Sequence, residues 1–158
     1  MRILFICLGN ICRSCTAEEI FRTFVRRAGR EASYIVDSAG LIDFHEGELP
    51  DERMRAHARR HGYKLTHRSR PVKTADFKEF DWLVAMDEQN RDSLLHLAPE
   101  SESCAKILMM ADYLTQHPDI DIVPDPYYGS ANDFELVIEL LEDACKGLLD
   151  ALEASRTE

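Results

Sequence analysis

The chain has 158 residues, enough for one domain, spanning 1–158, with a real hydrophobic core. Nineteen Lys and Arg against 29 Asp and Glu give a formal charge of −10, which leaves no basic surplus to neutralise nucleic-acid phosphates or to hold an anionic membrane surface. The N-terminal apolar run, Ile3–Cys7, is too short for a signal-peptide core or a bilayer span. An odd count of five cysteines suits a reduced intracellular protein better than a secreted disulfide framework. The expected compartment is therefore the cytoplasm, with neither nucleic acid nor membrane as a partner.

Ile3–Cys7 reads as a buried strand that runs into a small polar loop. Apolar residues at 17, 20, 21, 24, 25 and 28 then recur at helical spacing until Gly29 stops the pattern. Tyr34–Ser38 is a second strand; Pro50 and Asp51 open a helix that Gly62 closes. Asp81–Met86 is a third strand, followed by a helix from about Asp87 to Leu97, and Lys106–Met110 is a short fourth strand. Between Tyr113 and Tyr128 three prolines, Pro118, Pro124 and Pro126, indicate loop. Phe134, Val137, Ile138, Leu141, Cys145, Leu148, Leu149 and Leu152 form the stripe of a final helix, and Asn132 with Glu135 resembles its capping box. Alternating strands and helices imply a single α/β domain, a parallel sheet with helices on both faces.

The segment CLGNICRS (7–14) carries the chemistry. A loop between a parallel strand and the next helix lies at the carboxyl edge of the sheet, where α/β proteins bind ligands. The helix presents free N–H groups and the positive end of its dipole to that loop. Gly9 and Asn10 tolerate left-handed backbone, so the loop amides can turn inward as an anion nest. The nucleotide-binding pattern G-x4-G-K-[ST] is absent. Cys7 lies beneath such a nest, where the dipole, the amides and Arg13 favour its thiolate form. Arg13 offers a planar fork to two phosphate oxygens, and Ser14 can donate a hydrogen bond to the Cys7 sulfur. A thiolate below a bound oxyanion is a nucleophile aimed at phosphorus. The spacing C-x5-R alone also fits a buried strand cysteine and a surface arginine; strand, Gly-Asn, Arg-Ser and amphipathic helix together favour the catalytic reading. Asp125, between Pro124 and Pro126, fits a leaving-group acid on a stiffened loop and, equally, a plain Asp-Pro turn.

At these residues the chain resembles the low-molecular-weight protein tyrosine phosphatases. CLGNICRS is similar to their phosphate-binding signature, and VDSAG (36–40), THRSR (66–70), FDWLVAMDEQN (80–90) and DPYYG (125–129) resemble further family motifs in the expected order. The resemblance implies strand order 2-1-3-4 and hydrolysis of a phosphotyrosine protein or small aryl phosphate through a phosphocysteine, with inorganic phosphate as product and no cofactor. It implies Cys7, Arg13 and Asp125 as catalytic residues. Leu8, Gly9, Asn10, Ile11, Cys12, Arg13 and Ser14 are then the phosphate-binding loop. Asn10, Ser14, Ser38 and His67 become a supporting hydrogen-bond network, and Phe44, Tyr127 and Tyr128 aromatic walls of the substrate cleft. It also implies a redox pair, Cys7 with Cys12 as the resolving thiol. Cys15 departs from the pattern: it stands where the family usually has proline, a residue suited to the first helical turn, and is expected to be a small apolar filler.

Three other readings bear on the same residues. Thiol-dependent arsenate reductases share this fold and loop but need redox cysteines in the middle of the chain, and none lies between Cys15 and Cys104. Protein-arginine phosphatases typically carry threonine where this loop has Ile11. A phosphate-binding module without turnover would need neither the thiol nor the acid. His57 and His61 stand four apart on a predicted helix, a metal-ligand spacing, but no HExxH pattern or nearby cysteine accompanies them, so no metal is expected.

Overall fold

The computed structural model describes residues 1–157. Four strands, β1 (Arg2–Cys7), β2 (Ile35–Gly40), β3 (Trp82–Ala85) and β4 (Ile107–Met109), form one sheet of order β2-β1-β3-β4. All three pairings are parallel, so the expected order and class hold. Among the described residues six α-helices accompany them: α1 (Arg13–Arg27), α2 (Glu52–Arg60), α3 (Asp76–Glu79), α4 (Glu88–Leu97), α5 (Ser101–Cys104) and α6 (Ala131–Arg156).

The alternation of β1 explains its unbroken apolar run. Ile3, Phe5 and Cys7 face the layer of α1, α2 and α6, where Phe21, Met54, Phe134 and Leu141 are buried. Leu4 and Ile6 face the opposite layer with Phe77, Leu83 and Leu94 from α3, β3 and α4. A central parallel strand is covered on both faces, so it needs no polar side. β1 also lies between its two neighbours in the sheet, which fixes the loop after Cys7 at the centre of the carboxyl edge.

Helix ends follow local chemistry. Asp51 caps α2 by accepting from the Arg53 and Met54 amides, and Asp87 caps α4 through the Asn90 amide at 2.8 Å. The capping box of α6 is a correction: it is formed by Ser130 and Asp133, not by Asn132 and Glu135. Pairing Ser130 with Asp133 starts the helix at Ala131 and frees Glu135 to reach α2. There it accepts His57 Nδ1 at 3.0 Å and His61 Nε2 at 2.6 Å. The two histidines therefore tie α2 to α6 through one carboxylate. The short helices α3 and α5, of four residues each, carry too little periodicity to be read from sequence. Among the described residues no helix is long and apolar enough to cross a membrane.

Candidate active site

The loop from Cys7 to Ser14 is built around Asn10. It has φ 57°, the one non-glycine residue of positive φ among the described residues, and is wholly buried. The left-handed turn aims its backbone N–H at the Cys7 sulfur, 3.2 Å away. Its side chain is then fully engaged. Nδ2 donates to Ser14 Oγ at 2.7 Å and Ser38 Oγ at 3.0 Å. Oδ1 accepts from the Arg70 amide at 3.1 Å and from His67 Nε2 at 3.0 Å. Because Asn10 donates to Ser14, the Ser14 hydroxyl proton is free for the Cys7 sulfur, 3.0 Å away. One strained residue thus carries both donors to the sulfur, directly and through Ser14.

The loop carbonyls are turned outward. Those of Cys7 and Leu8 accept from the Leu41 amide, that of Ile11 from the Asp51 amide, and that of Gly9 from Ser69 Oγ. Two glycines permit this packing. A Cβ on Gly40 would lie 3.0 Å from the Leu8 carbonyl oxygen and 3.1 Å from the Asn10 nitrogen, and one on Gly9 would lie 3.2 Å from His45 Cδ2.

A second layer lies behind. Ser38 Oγ donates to Glu18 Oε1 at 2.8 Å, and Glu18 also faces Arg22 at 3.0 Å and His67 Nδ1 at 3.2 Å. His67 thus bridges the two layers, with Nε2 on Asn10 Oδ1 and Nδ1 on Glu18. Burial pushes the Glu18 carboxyl up, against the opposing pull of His67, Arg22 and Ser38. Glu18, Asp37 and His67 lie close enough to share a cation, but Asp37 and Glu18 are also engaged by Arg70 and Arg22, so the geometry is that of an ion-pair network. Neither Glu18 nor Arg70 stood out in the sequence; a glutamate one turn beyond the loop on the buried face of α1 was the available signal.

Arg13 is 2% exposed and held at its far edge: Nη1 donates to Asp87 Oδ2 at 2.7 Å and to the Val123 carbonyl at 2.9 Å. Burial would pull its pKa down, but Cys7, Asp87 and Asp125 outweigh it and raise it. Asp87 is thus a positioning group that sequence reasoning missed. As the cap of a helix directly after β3 it sits at the same sheet edge as the loop. Asp125 lies 3.6 Å from Arg13 Nη2, and its Oδ1 accepts from the Tyr127 amide at 3.1 Å. Arg53, also missed, donates to the Tyr127 carbonyl at 2.9 Å and lies over the Tyr127 and Phe134 rings.

One cavity joins these groups. Cys7, Cys12 and Arg13 line its floor, Leu8, Ile11 and Ile42 add apolar surface, and Phe44, His45, Asp125, Tyr127 and Tyr128 form its rim. The structure therefore brings together Cys7, Arg13, Asp125 and all three expected aromatics. His45, the fourth rim ring, packs edge-on to Phe44 at 4.9 Å and faces Tyr127 at 6.3 Å, with Nδ1 on Glu48 at 2.7 Å. Cys12 is buried at the N-terminus of α1, and Cys15, 1% exposed, donates its S–H to the Cys12 carbonyl at 3.4 Å.

A thiol and a buried guanidinium thus share the floor of one cavity, at the carboxyl edge of a parallel α/β sheet. The family model described as low molecular weight phosphotyrosine protein phosphatase matches residues 2–158, and the chain belongs to that family. A low molecular weight protein-tyrosine-phosphatase of Streptomyces coelicolor is 41% identical over 153 residues, 96% of this chain and 93% of its own. The crystal structure of a protein tyrosine phosphatase from Entamoeba histolytica with Hepes in the active site superposes with TM-score 0.95 at 43% identity, covering 99% of each chain. A Drosophila arginine phosphatase superposes with TM-score 0.89 at 31% identity, covering 96% of this chain and 98% of its own.

Proposed function

We propose that this protein hydrolyses phosphotyrosine in proteins, and small aryl phosphates, through a phosphocysteine at Cys7. The observation that carries the reading is the Cys7 sulfur: an amide at 3.2 Å and a hydroxyl at 3.0 Å meet it on the floor of a cavity whose rim holds Asp125. Loop amides and the Arg13 fork bind the phosphoryl oxygens and stabilise charge as the thiolate attacks phosphorus in line. Asp125 protonates the departing tyrosyl oxygen, then takes a proton from the water that cleaves the S–P bond and releases inorganic phosphate. Phe44, Tyr127 and Tyr128 flank the aromatic ring of the substrate. Asn10, Ser14, Ser38 and His67 hold the loop in its binding shape.

An aromatic rim favours an aryl ester over a phosphoguanidine, and Ile11 keeps the loop wall apolar. Five free thiols suit a reducing compartment, and we place the enzyme in the cytoplasm. The test is metal-free turnover of phosphotyrosine peptide, phosphoarginine and arsenate by wild type and Cys7→Ser. Hydrolysis of the tyrosyl ester alone, lost in Cys7→Ser with phosphate binding retained, is expected. Undiminished turnover by Cys7→Ser overturns the mechanism.

A further inference from the structure

Cys12 and Cys15 form a C-x-x-C pair, CRSC, at the start of the helix of the β1-α1-β2 unit. In that setting the pattern is a dithiol–disulfide motif. Cys12 occupies the N-cap, with φ −124° and ψ −76°, and Cys15 lies one turn on with its sulfur directed at the Cys12 carbonyl. Residues three apart on a helix have Cβ atoms about 5–6 Å apart, and a disulfide needs about 3.8 Å. The shift required is about 1–2 Å, and the non-helical N-cap is the residue that can supply it. Cys12 is also a wall of the cavity that holds Cys7. One cysteine is therefore shared between the phosphate loop and the motif.

We propose that Cys12 and Cys15 are a second, redox-active site that takes over the disulfide formed when the nucleophile is oxidised, and so returns Cys7 to its free form. The inference rests on Cys7 being the reactive thiolate, as in the proposed function. Hydrogen peroxide is the oxidant: the Cys7 thiolate displaces hydroxide from it and becomes a sulfenic acid. The Cys12 thiol attacks the Cys7 sulfur, an S–S bond forms, and the hydroxyl leaves as water with the Cys12 proton. Cys15 then attacks the Cys12 sulfur, losing its proton to solvent; the Cys12–Cys15 bond forms as the Cys7–Cys12 bond breaks, and Cys7 leaves as thiolate. One peroxide and two thiols yield two waters and one disulfide.

The site sets the direction. Cys7 is the sulfur that an amide and a hydroxyl both meet, so its thiolate is the stabilised leaving group, and exchange is faster toward the better leaving thiol. Burial pushes the Cys12 and Cys15 thiols up, which keeps them protonated and leaves Cys7 as the first target of peroxide. Cys145, buried on α6 with its S–H toward the Ala17 carbonyl, takes no part.

The experiment treats wild type, Cys15→Ser and Cys15→Pro with one equivalent of peroxide, removes the excess with catalase, and adds no thiol. Disulfides are mapped over time and Cys7 is titrated with an alkylating agent. Wild type should pass from Cys7–Cys12 to Cys12–Cys15, with Cys7 again alkylated and activity returning. Both variants should stop at Cys7–Cys12, inactive until dithiothreitol is added; before oxidation they should match wild type. A wild type that remains at Cys7–Cys12, a Cys7–Cys15 product, or variants that recover without reductant overturn the proposal. Cys7→Ser turnover tests the nucleophile separately, so failure of the relay and failure of the proposed function remain distinguishable.

Discussion

The two sides of the cavity are held in different ways. On the floor, Cys7, Asn10, Arg13 and Ser14 are buried and each is hydrogen-bonded, and Asn10 alone makes four side-chain hydrogen bonds. On the rim, Phe44 is 79% and Tyr128 96% exposed, and the acid loop is held by a few bonds, from Arg53 to the Tyr127 carbonyl and from Arg13 to the Val123 carbonyl. The contrast separates two tasks. Charge development on a phosphoryl group needs donors fixed in advance, whereas an acid and aromatic walls must admit and release a bulky ester. In the proposed mechanism, preorganisation is concentrated where the charge would change, and adaptability where the substrate would enter.

The largest test on the rim side is Asp125→Ala. It removes leaving-group protonation, on the order of 10²–10⁴ in rate, and the loss should be greater for a tyrosyl peptide than for p-nitrophenyl phosphate, whose leaving group needs no proton. Arg53→Ala should give the same leaving-group signature at roughly tenfold to 10²-fold, because it displaces the acid without removing it. Equal losses across leaving groups would make both residues structural and erase the division between floor and rim.

On the floor, Asn10→Ala forces a side chain with no hydrogen-bonding capacity into a left-handed turn and leaves Ser14, Ser38 and the Arg70 amide short of a partner. A stability loss of roughly 1–3 kcal/mol is expected for each buried group left unpaired, with kcat reduced about 10²-fold by the lost positioning of the sulfur. Asn10→Gly relieves the backbone strain but not the network. If it restores activity to near wild type, the side-chain network is not what orders the floor. Chemical denaturation and kcat for both variants decide the matter.

The same contrast explains what could be read from the sequence. The floor is local: strand, Gly9-Asn10, Arg13-Ser14 and helix lie within one continuous stretch, so residue types and spacing expose it. Asp125 stood out because two prolines flank it. Asp87 and Arg53 did not, because each reaches the site from a distant element, and Glu18, one turn beyond the loop, is in sequence an ordinary charged residue on a helix. The α6 cap failed for a related reason. Ser130–Asp133 and Asn132–Glu135 offer comparable capping chemistry, and the choice follows from where α6 meets α2. The paired His57 and His61 likewise had a partner no spacing rule reveals, a carboxylate 74 residues from His61.

Charge also holds the approach to the acid loop. Asp143 on α6 accepts from the Thr115 and Gln116 amides and from His117 Nδ1 at 2.9 Å. Burial alone would raise the Asp143 carboxyl, but these donors outweigh it and lower it to about 2. The hydrogen bond to Asp143 raises His117 above its ordinary 6.5. A raised histidine stabilises fully below its unfolded pKa and loses that contribution as pH rises through the folded one; a lowered carboxylate stabilises above 3.8 and loses it as pH falls toward 2. The Tm gap between wild type and His117→Gln should therefore be widest between about pH 4 and 6 and close at alkaline pH. A gap independent of pH would mean that packing, not charge, anchors this segment.

The smallest effect is expected from the acidic residues around Phe44. Asp43, Glu46, Glu48, Asp51 and Glu52 suggest a cleft that disfavours acidic peptides. The structure reduces that field. Glu48 is paired with His45, and Asp51 is taken up by Arg53 and by capping α2. Asp43, Glu46 and Glu52 remain exposed, so the preference for neutral or basic phosphotyrosine peptides should be a few-fold in kcat/KM, in the range that exposed charges provide. It should shrink at high salt, because the screening length is about 8 Å at physiological ionic strength. Reversing Glu46 and Glu52 to lysine should narrow the preference, while Glu48→Gln should change it less, since its carboxylate is already hydrogen-bonded to His45 Nδ1. A preference for acidic peptides that salt does not alter would show that recognition on the rim comes from shaped contacts, and the rim would then be as specific in its geometry as the floor.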